Sequence, residues 1–203
     1  MHNDQQISEI EMQRKGRKVL LLMLIFFTVP IVVVLMMYKL DWKPSGASSG
    51  ELVSPARLLD ESRELKSNEG VLLPATFWRE KWSVVYVTSE CQKTCLDKLK
   101  DMRQLHVSLY KDITRVQRVL ITTTQDVSQI KQDFPDLLVI NQPPENILDF
   151  AQQFQVRGDN VTSSNRLYLV DPLGHLMMSY QSNISLADVR KDLARLLRYS
   201  WAG

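Results

Sequence analysis

A long apolar run near the start of the chain, Val19 to Met37, sets the strongest limit on how this protein can fold. It is interrupted by only one threonine and one proline, and roughly 20 consecutive apolar residues are needed to cross about 30 Å of hydrocarbon. The run therefore predicts one transmembrane helix over residues 19–40. A cleaved secretory signal would have a shorter apolar core followed by a small-residue cleavage site, whereas Trp42 in the flank here indicates an interfacial anchor.

The charges on either side of this run predict its orientation. Basic residues crowd the near side, and the far side has only scattered lysines. The near-side residues are Arg14, Lys15, Arg17 and Lys18. By the positive-inside rule, the tail 1–18 lies in the cytoplasm. Acidic residues in that tail argue against a mitochondrial transit peptide, so we expect a single-pass protein of the bacterial inner membrane whose C-terminal domain is periplasmic.

Composition limits the function and organisation of the chain beyond the predicted span. A net charge of +2 with 24% charged residues gives no basic surplus, so nucleic acid is not expected as a partner. Residues 41–51 are rich in glycine, serine and breakers, which is typical of a flexible linker. Residues 52–203 are long enough for one compact domain with its own core.

Strand and helix patterns alternate along this domain. Three runs rich in β-branched and aromatic residues predict buried strands, and two amphipathic patterns predict helices. The predicted strands are Trp82–Val87, Val116–Thr122 and Leu137–Ile140. One predicted helix presents an apolar face formed by Cys95, Leu99, Met102, His106 and Leu109, and the other extends from Pro143 to Phe154.

The C-terminal third predicts a hairpin and a last helix. Arg166–Val170 has the pattern of a strand, Asp171–Gly174 that of a type I turn, and His175–Tyr180 that of a returning strand. Ser185 is placed to cap a final helix, and Asp188 suits its first turn. The order β-α-β-α-β-α-β-β-α predicts an α/β domain in which helices cover both faces of a central mixed sheet.

The chain's only two cysteines, Cys91 and Cys95, fall where the first strand meets its helix. One helical turn brings two thiols within reach of a disulfide or a shared metal ion, and a helix N-terminus stabilises a thiolate. Lys93 also favours the thiolate of Cys91, whereas the carboxylate of Glu90 opposes it. Redox chemistry, metal binding and a static structural disulfide all remain open at this stage.

Two stretches of this sequence resemble the Sco/SenC family of cytochrome oxidase assembly proteins, which are membrane-anchored, thioredoxin-like and use a Cys-x-x-x-Cys pair. The matching residues are Lys81–Cys95 and Leu167–Gly174, the second ending in Asp-Pro-x-Gly. The resemblance implies a thioredoxin-like fold, catalytic roles for Cys91 and Cys95, and Cu(I) as an ion that the two cysteines bind.

The sequence departs from that family at several positions. The family's copper-ligand histidine corresponds to about Ser163, within Thr162–Asn165, and no histidine lies there. Gln92 and Leu96 stand where the family usually has a proline after each cysteine. His106 lies 11 residues beyond Cys95, which is roughly 16 Å along a straight helix, so it is interpreted as a partly buried helix residue.

The missing histidine favours thiol–disulfide exchange, with Cys91 attacking and Cys95 resolving. The resemblance implies a cytochrome oxidase subunit as client. Because the periplasm is kept oxidising, a thiol reductant is expected as second partner. Alternatives are a Cu(I) metallochaperone that uses both cysteines, a general thiol–disulfide oxidoreductase, and an inactive assembly scaffold. Of the other two histidines, His175 is predicted to lie at the surface beside the turn, and His2 lies in the cytoplasmic tail. Thioether ligation by Met177 or Met178 is the less favoured interpretation, and core and edge positions are expected for them instead.

Overall fold

The computed structural model describes residues 2–39, 48–60, 65–142 and 144–200. The chain divides into two units, residues 1–47 and residues 48–203. In the first, helix α1 (His2–Lys39) contains Pro30. The segment Gly16–Lys39 of this helix has a mean hydropathy of 3.1 over its most apolar window. Among the described residues, α1 is the one helix long and apolar enough to cross a membrane.

The second unit is built on a six-stranded sheet in the order β1-β6-β5-β2-β3-β4. Strands β2, β3 and β4 run parallel, while β5, β6 and β1 pair antiparallel, so the mixed sheet is confirmed. The strands are β1 (Glu51–Leu58), β2 (Trp82–Thr88), β3 (Val116–Thr122), β4 (Leu138–Asn141), β5 (Leu167–Val170) and β6 (His175–Tyr180).

Helices cover both faces of this sheet, as predicted. Helices α2, α3 and α5 contribute to one buried apolar cluster, and α4 contributes to a second. Successive β2 residues alternate between the clusters, since Tyr86 belongs to the first and Val85 and Val87 to the second, and adjacent strand residues point to opposite faces. The helices are α2 (Lys93–Val107), α3 (Ser128–Asp133), α4 (Pro144–Ala151) and α5 (Leu186–Tyr199), with 3-10 helices at Tyr110–Arg115 and Gln152–Phe154.

The predicted turn and cap are present with the expected chemistry. The amide of Gly174 donates to the carbonyl of Asp171 at 3.0 Å, which closes the β5–β6 hairpin, and Gly174 has a φ of 88°, a conformation that favours glycine. Ser185 Oγ accepts from the amide of Asp188 at the start of α5. The turn and the cap are each formed by residues close together in sequence, so the sequence pattern alone can predict them.

The described end of the predicted linker is hydrogen-bonded to the domain. A buried carboxylate of α5, Asp192, accepts from the amides of Ser49 and Gly50 at 2.8 and 3.1 Å and from Ser48 Oγ at 3.2 Å. A Cβ on Gly50 would lie 2.6 Å from the Tyr180 ring, so this close approach requires glycine. Burial, followed by the charge of Asp192, raises the pKa of Tyr180. The rest of the linker, like Trp201 near the C-terminus, lies outside the described residues.

Candidate functional site

The two cysteines lie together at the carboxyl end of β2. This strand ends at Thr88 and α2 begins at Lys93, so the loop between them carries the first cysteine. Cys91 and Cys95 form a disulfide with a Cα–Cα distance of 4.9 Å. Cys95 is 2% exposed, whereas Cys91 is half-buried, so an approaching molecule meets Cys91 first.

Threonine hydroxyl groups hydrogen-bond the backbone of this loop. Because parallel strands end at the same edge of a sheet, the end of β3 lies beside the end of β2. The amide of Cys91 donates to Thr124 Oγ1 at 3.1 Å, and Thr123 Oγ1 donates to the carbonyl of Ser89 at 2.6 Å. Thr88 Oγ1 donates to the carbonyl of Glu90 at 2.8 Å. We call Thr88–Cys95 together with Thr122–Thr124 the cysteine edge.

Sequence reasoning missed this hydroxyl network. The sequence did contain a signal for this network, the run Thr122–Thr124 at the carboxyl end of β3. Polar side chains at the carboxyl ends of parallel strands converge on one edge of the sheet. Thr122 Oγ1 accepts from the amide of Thr124 at 3.1 Å, which fixes the third threonine in place. The network is neutral, so the side chains that hydrogen-bond the backbone of this loop carry no formal charge.

The charged neighbours of Cys91 lie on the outer side of the loop. Glu90 and Lys93 are both exposed, and Glu90 Oε2 accepts from Gln92 Nε2 at 2.9 Å. Helix α2 has no acidic residue in its first turn, and its N-cap makes no side-chain capping bond. The positive end of the helix macrodipole is therefore left to act on the sulfur atoms at its N-terminus.

The loop that the resemblance to Sco/SenC proteins sets at the position of their copper-ligand histidine, Thr162–Asn165, lies at the same edge. Strand β5 pairs antiparallel with β2, with Leu167 opposite Tyr86, so continuing the register by two residues places Asn165 opposite Thr88. The Tyr86 hydroxyl donates to Asn165 Oδ1 at 2.7 Å. Burial raises the pKa of Tyr86, and the hydrogen bond with Thr88 lowers it by less, so Tyr86 stays a neutral donor.

The two histidines of the domain lie away from the sulfur atoms. His106 Nε2 lies 2.9 Å from the carbonyl of Ile113 and 2.8 Å from that of Val116. Because carbonyls only accept, this nitrogen carries the proton. The half-buried His106 ring therefore ties α2 to the chain that follows it, which fits its interpretation as a partly buried helix residue.

His175 lies at the opposite end of the central strands. Val170 pairs with Ser83 near the start of β2, so the turn that follows β5 is remote from the cysteine edge. Asp171 Oδ1 accepts from the amides of Leu173 and His175 at 2.9 and 2.8 Å, and His175 Nδ1 lies 3.3 Å from the same carboxylate. We call Asp171–His175 the turn edge.

The methionines occupy the predicted core and edge positions. Met178 is buried and Met177 half-buried. The Met178 sulfur accepts from the Tyr180 hydroxyl at 3.8 Å and from Ser48 Oγ at 4.0 Å. Among the described residues, no group of three or more His, Cys, Asp or Glu side chains could hold a metal ion.

This sheet order, with a cysteine pair opening the helix after its central strand, defines a thioredoxin-like protein. Residues 82–200 match the family model described as "Transmembrane-like, thioredoxin-like, C-terminal domain". The chain belongs to that family. No curated protein gives a significant match to this sequence.

Solved structures of Sco proteins share the fold. Copper-bound ScoI of Arabidopsis thaliana is 17% identical, with a TM-score of 0.56 over 75% of this chain and 100% of that one. A SCO1/SenC family lipoprotein from Bacillus anthracis is 20% identical, with a TM-score of 0.54 over 71% and 98%. BsSco, a member of the Sco family of cytochrome c oxidase assembly proteins in which a disulfide switch was identified, is 16% identical, with a TM-score of 0.56 over 72% and 96%. The predicted thioredoxin-like fold of the Sco type is thus confirmed.

Proposed function

We propose that this protein carries out thiol–disulfide exchange through Cys91 and Cys95 on the periplasmic side of a bacterial inner membrane. The observation that carries the proposal is a disulfide between a half-buried and a buried cysteine at the N-terminus of α2. A helix N-terminus lowers the pKa of a thiol placed there and so raises its thiolate fraction. Helix α1 supplies the anchor, and the basic residues before it support the orientation.

Exchange proceeds in two steps that conserve electrons. The reduced Cys91 thiolate attacks one sulfur of a partner disulfide, and the partner's other sulfur leaves as a thiolate and takes up a proton. Deprotonated Cys95 then attacks Cys91 Sγ, which breaks the mixed disulfide and releases the partner as a dithiol. The partner has gained two electrons and Cys91–Cys95 is again oxidised, so a thiol reductant must return two electrons for the next cycle.

Burial assigns the order of attack. A partner disulfide can approach the half-buried Cys91, whereas Cys95, at 2% exposure, reaches little besides Cys91. Thr124 accepts from the Cys91 amide and so positions the attacking residue. Cys91 is therefore the nucleophile and Cys95 the resolving thiol.

The client proposed for this exchange is a cytochrome oxidase subunit whose metal-binding cysteines must be reduced before copper enters. This step rests on the fold shared with Sco proteins, one of which is described as a cytochrome c oxidase assembly protein with a disulfide switch. A general thiol–disulfide oxidoreductase with other clients would use the same two sulfur atoms.

Cu(I) binding is the second candidate, because two thiolates are soft ligands that suit this ion. The reduced Cys91 and Cys95 would hold copper as cargo and pass it on by ligand exchange. The loop at the family histidine's position offers Ser163, Ser164 and Asn165, none of which is a soft or imidazole ligand. We therefore expect tighter binding of Cu(I) than of Cu(II), and weaker binding than a site with a third ligand gives.

Mixed-disulfide trapping tests the proposal on the full chain in membranes. With Cys95→Ser the second step is blocked, so the partner stays linked to Cys91 and migrates as a mixed disulfide on non-reducing gels. Cys91→Ser is the matched control and should trap nothing. Equal trapping by both variants, or by neither, would contradict exchange led by Cys91. An oxidase assembly phenotype unchanged when both cysteines are replaced would favour an inactive scaffold.

A further inference from the structure

A groove between α2 and α3 starts at Leu96, the residue that follows Cys95. It encloses a volume of about 640 Å³, and its lining includes Leu96, Lys100, Arg103, Val107, Asp133 and Phe134. We call it the α2–α3 groove. The α2 residues among these follow the spacing i, i+4, i+7, i+11, so they form one stripe along the outer side of the helix.

The start of the groove shares its core contacts with the two cysteines. Leu96 follows Cys95 in sequence, and Leu96 and Cys91 pack against the same core cluster that contains Cys95. From Leu96 to Val107 the helix rises about 16 Å, which matches about five residues of extended chain. A segment with its cysteine at Cys91 therefore has room to lie along this stripe.

Apolar and basic groups are combined in the groove. Phe134 is buried at its floor and Val107 is 58% exposed at its far end. The exposed Arg103 has no hydrogen-bond or ion-pair partner among the described residues, whereas Lys100 pairs with Asp97 at 3.2 Å and Asp133 accepts from Gln129. Arg103 lies seven helical residues from Leu96, about 10 Å away, or three extended residues from the start of the stripe.

We propose that the α2–α3 groove docks a segment of the exchange partner that carries apolar side chains and a carboxylate three or four residues from its reactive cysteine. The inference rests on the proposed function and deepens it by naming the chemistry of the partner. Apolar side chains would cover Val107 and the half-buried Leu96, and the carboxylate would pair with Arg103. The groove thus selects which disulfides Cys91 attacks.

Paired peptides test this with the reduced full chain in detergent. Each peptide carries one cysteine as a mixed disulfide with 2-mercaptoethanol, followed by leucine, glycine, a charged residue and phenylalanine. The charged residue is glutamate in one peptide and lysine in the other. At low ionic strength the glutamate peptide should react about five times faster, and salt should reduce the difference.

Charge reversal in the groove should invert this preference. Arg103→Glu should make the lysine peptide the faster one, whereas Lys191→Glu, the same reversal of charge at an exposed position of α5, should leave the wild-type order unchanged. Far-UV circular dichroism checks that both variants fold. Equal rates for the two peptides with the wild-type chain, or the same shift from both variants, would overturn the docking proposal.

A neutral small disulfide, 2-hydroxyethyl disulfide, separates a failure of docking from a failure of exchange. If the reduced wild-type chain reacts with it but does not distinguish the peptides, exchange stands and the docking proposal is wrong. If the chain reacts with neither the small disulfide nor the peptides, the proposed function fails and the docking proposal fails with it.

Discussion

The cysteine edge and the turn edge lie at opposite ends of the same central strands and hold polar groups of different kinds. At the cysteine edge, neutral threonine hydroxyls hydrogen-bond the backbone of the loop that carries the half-buried Cys91. At the turn edge, one carboxylate accepts two backbone amides and faces a histidine. The first arrangement leaves Cys91 partly accessible, and the second satisfies its polar groups internally. The proposed chemistry therefore lies at one end of the central strands, and a turn whose polar groups are paired internally lies at the other end.

The strongest effect is expected on exchange at the cysteine edge. Cys91→Ser should reduce exchange of the full chain with 2-hydroxyethyl disulfide to that of a chain without cysteines, because the nucleophile is gone. The same change removes the disulfide and should lower the free energy of unfolding by about 2 kcal/mol, the value for so short a loop. Exchange rates and urea unfolding measure the two effects, and residual exchange above the double variant would contradict the assignment.

At the turn edge we expect the reverse, a loss of stability with exchange unchanged. Asp171→Ala leaves the part-buried amides of Leu173 and His175 without their acceptor, at about 0.5–1.5 kcal/mol for each lost hydrogen bond. Asp171→Asn keeps one acceptor oxygen and should cost less. Urea unfolding gives the stability, and a slower exchange rate in a folded Asp171→Ala chain would show that the two edges are not independent.

A smaller effect is expected from the hydroxyl beneath Cys91. Thr124→Val keeps the shape of the side chain but removes the acceptor of the Cys91 amide, a loss of about 1 kcal/mol. If that bond positions the nucleophile, exchange should slow about fivefold, since 1 kcal/mol corresponds to that factor at room temperature. Thr124→Ser retains the hydroxyl and is the matched control. Equal rates in both variants would remove the positioning role.

The smallest expected effect is on the pH dependence of stability, and it comes from a buried arginine near the amino end of β3. Arg118 is 1% exposed, and its Nη2 lies 2.6 Å from Oδ1 of Asp136, whose side chain is 59% exposed. Burial raises the pKa of Asp136, but the hydrogen bond and charge of Arg118, with smaller contributions from a backbone hydrogen bond and from His106, lower that pKa overall.

The lowered pKa sets the sign of this effect. The stabilisation is complete above the ordinary carboxyl pKa of about 4 and is lost as pH falls through the lower folded value. Solvent screening limits it to about 0.5 kcal/mol. The wild-type chain should therefore lose slightly more stability than Asp136→Asn between pH 6 and pH 3. Equal losses in urea unfolding would show that the pair does not contribute.

Local patterns predicted most of the fold. The strand Val116–Thr122 has the predicted bounds because its run of β-branched and aliphatic residues is buried on both faces. The hairpin follows from Asp171 and Gly174, and the last helix begins after Ser185. In each case the deciding residues are neighbours in sequence. The predicted helix to Phe154 instead ends at Ala151 and continues as a 3-10 turn, a difference at a frayed end.

The contacts that shape the site could not be predicted in the same way. Thr124 and Cys91 are 33 residues apart, Tyr86 and Asn165 are 79 apart, and Gly50 and Asp192 are 142 apart. Each contact exists only because strand order brings distant segments to one place. The sequence indicated the two sulfur atoms through their spacing. The run Thr122–Thr124 marks an edge of the sheet, but it does not show which loop these hydroxyls contact.

Acid-quenched alkylation of the full chain in bacterial membranes is the decisive test of a reactive disulfide, because it counts free thiols at Cys91 and Cys95. We expect the disulfide to open under a mild dithiol reductant and to re-form when a protein disulfide is supplied. A pair that stays oxidised under that reductant, while the chain remains folded, would contradict exchange and leave the disulfide a structural crosslink.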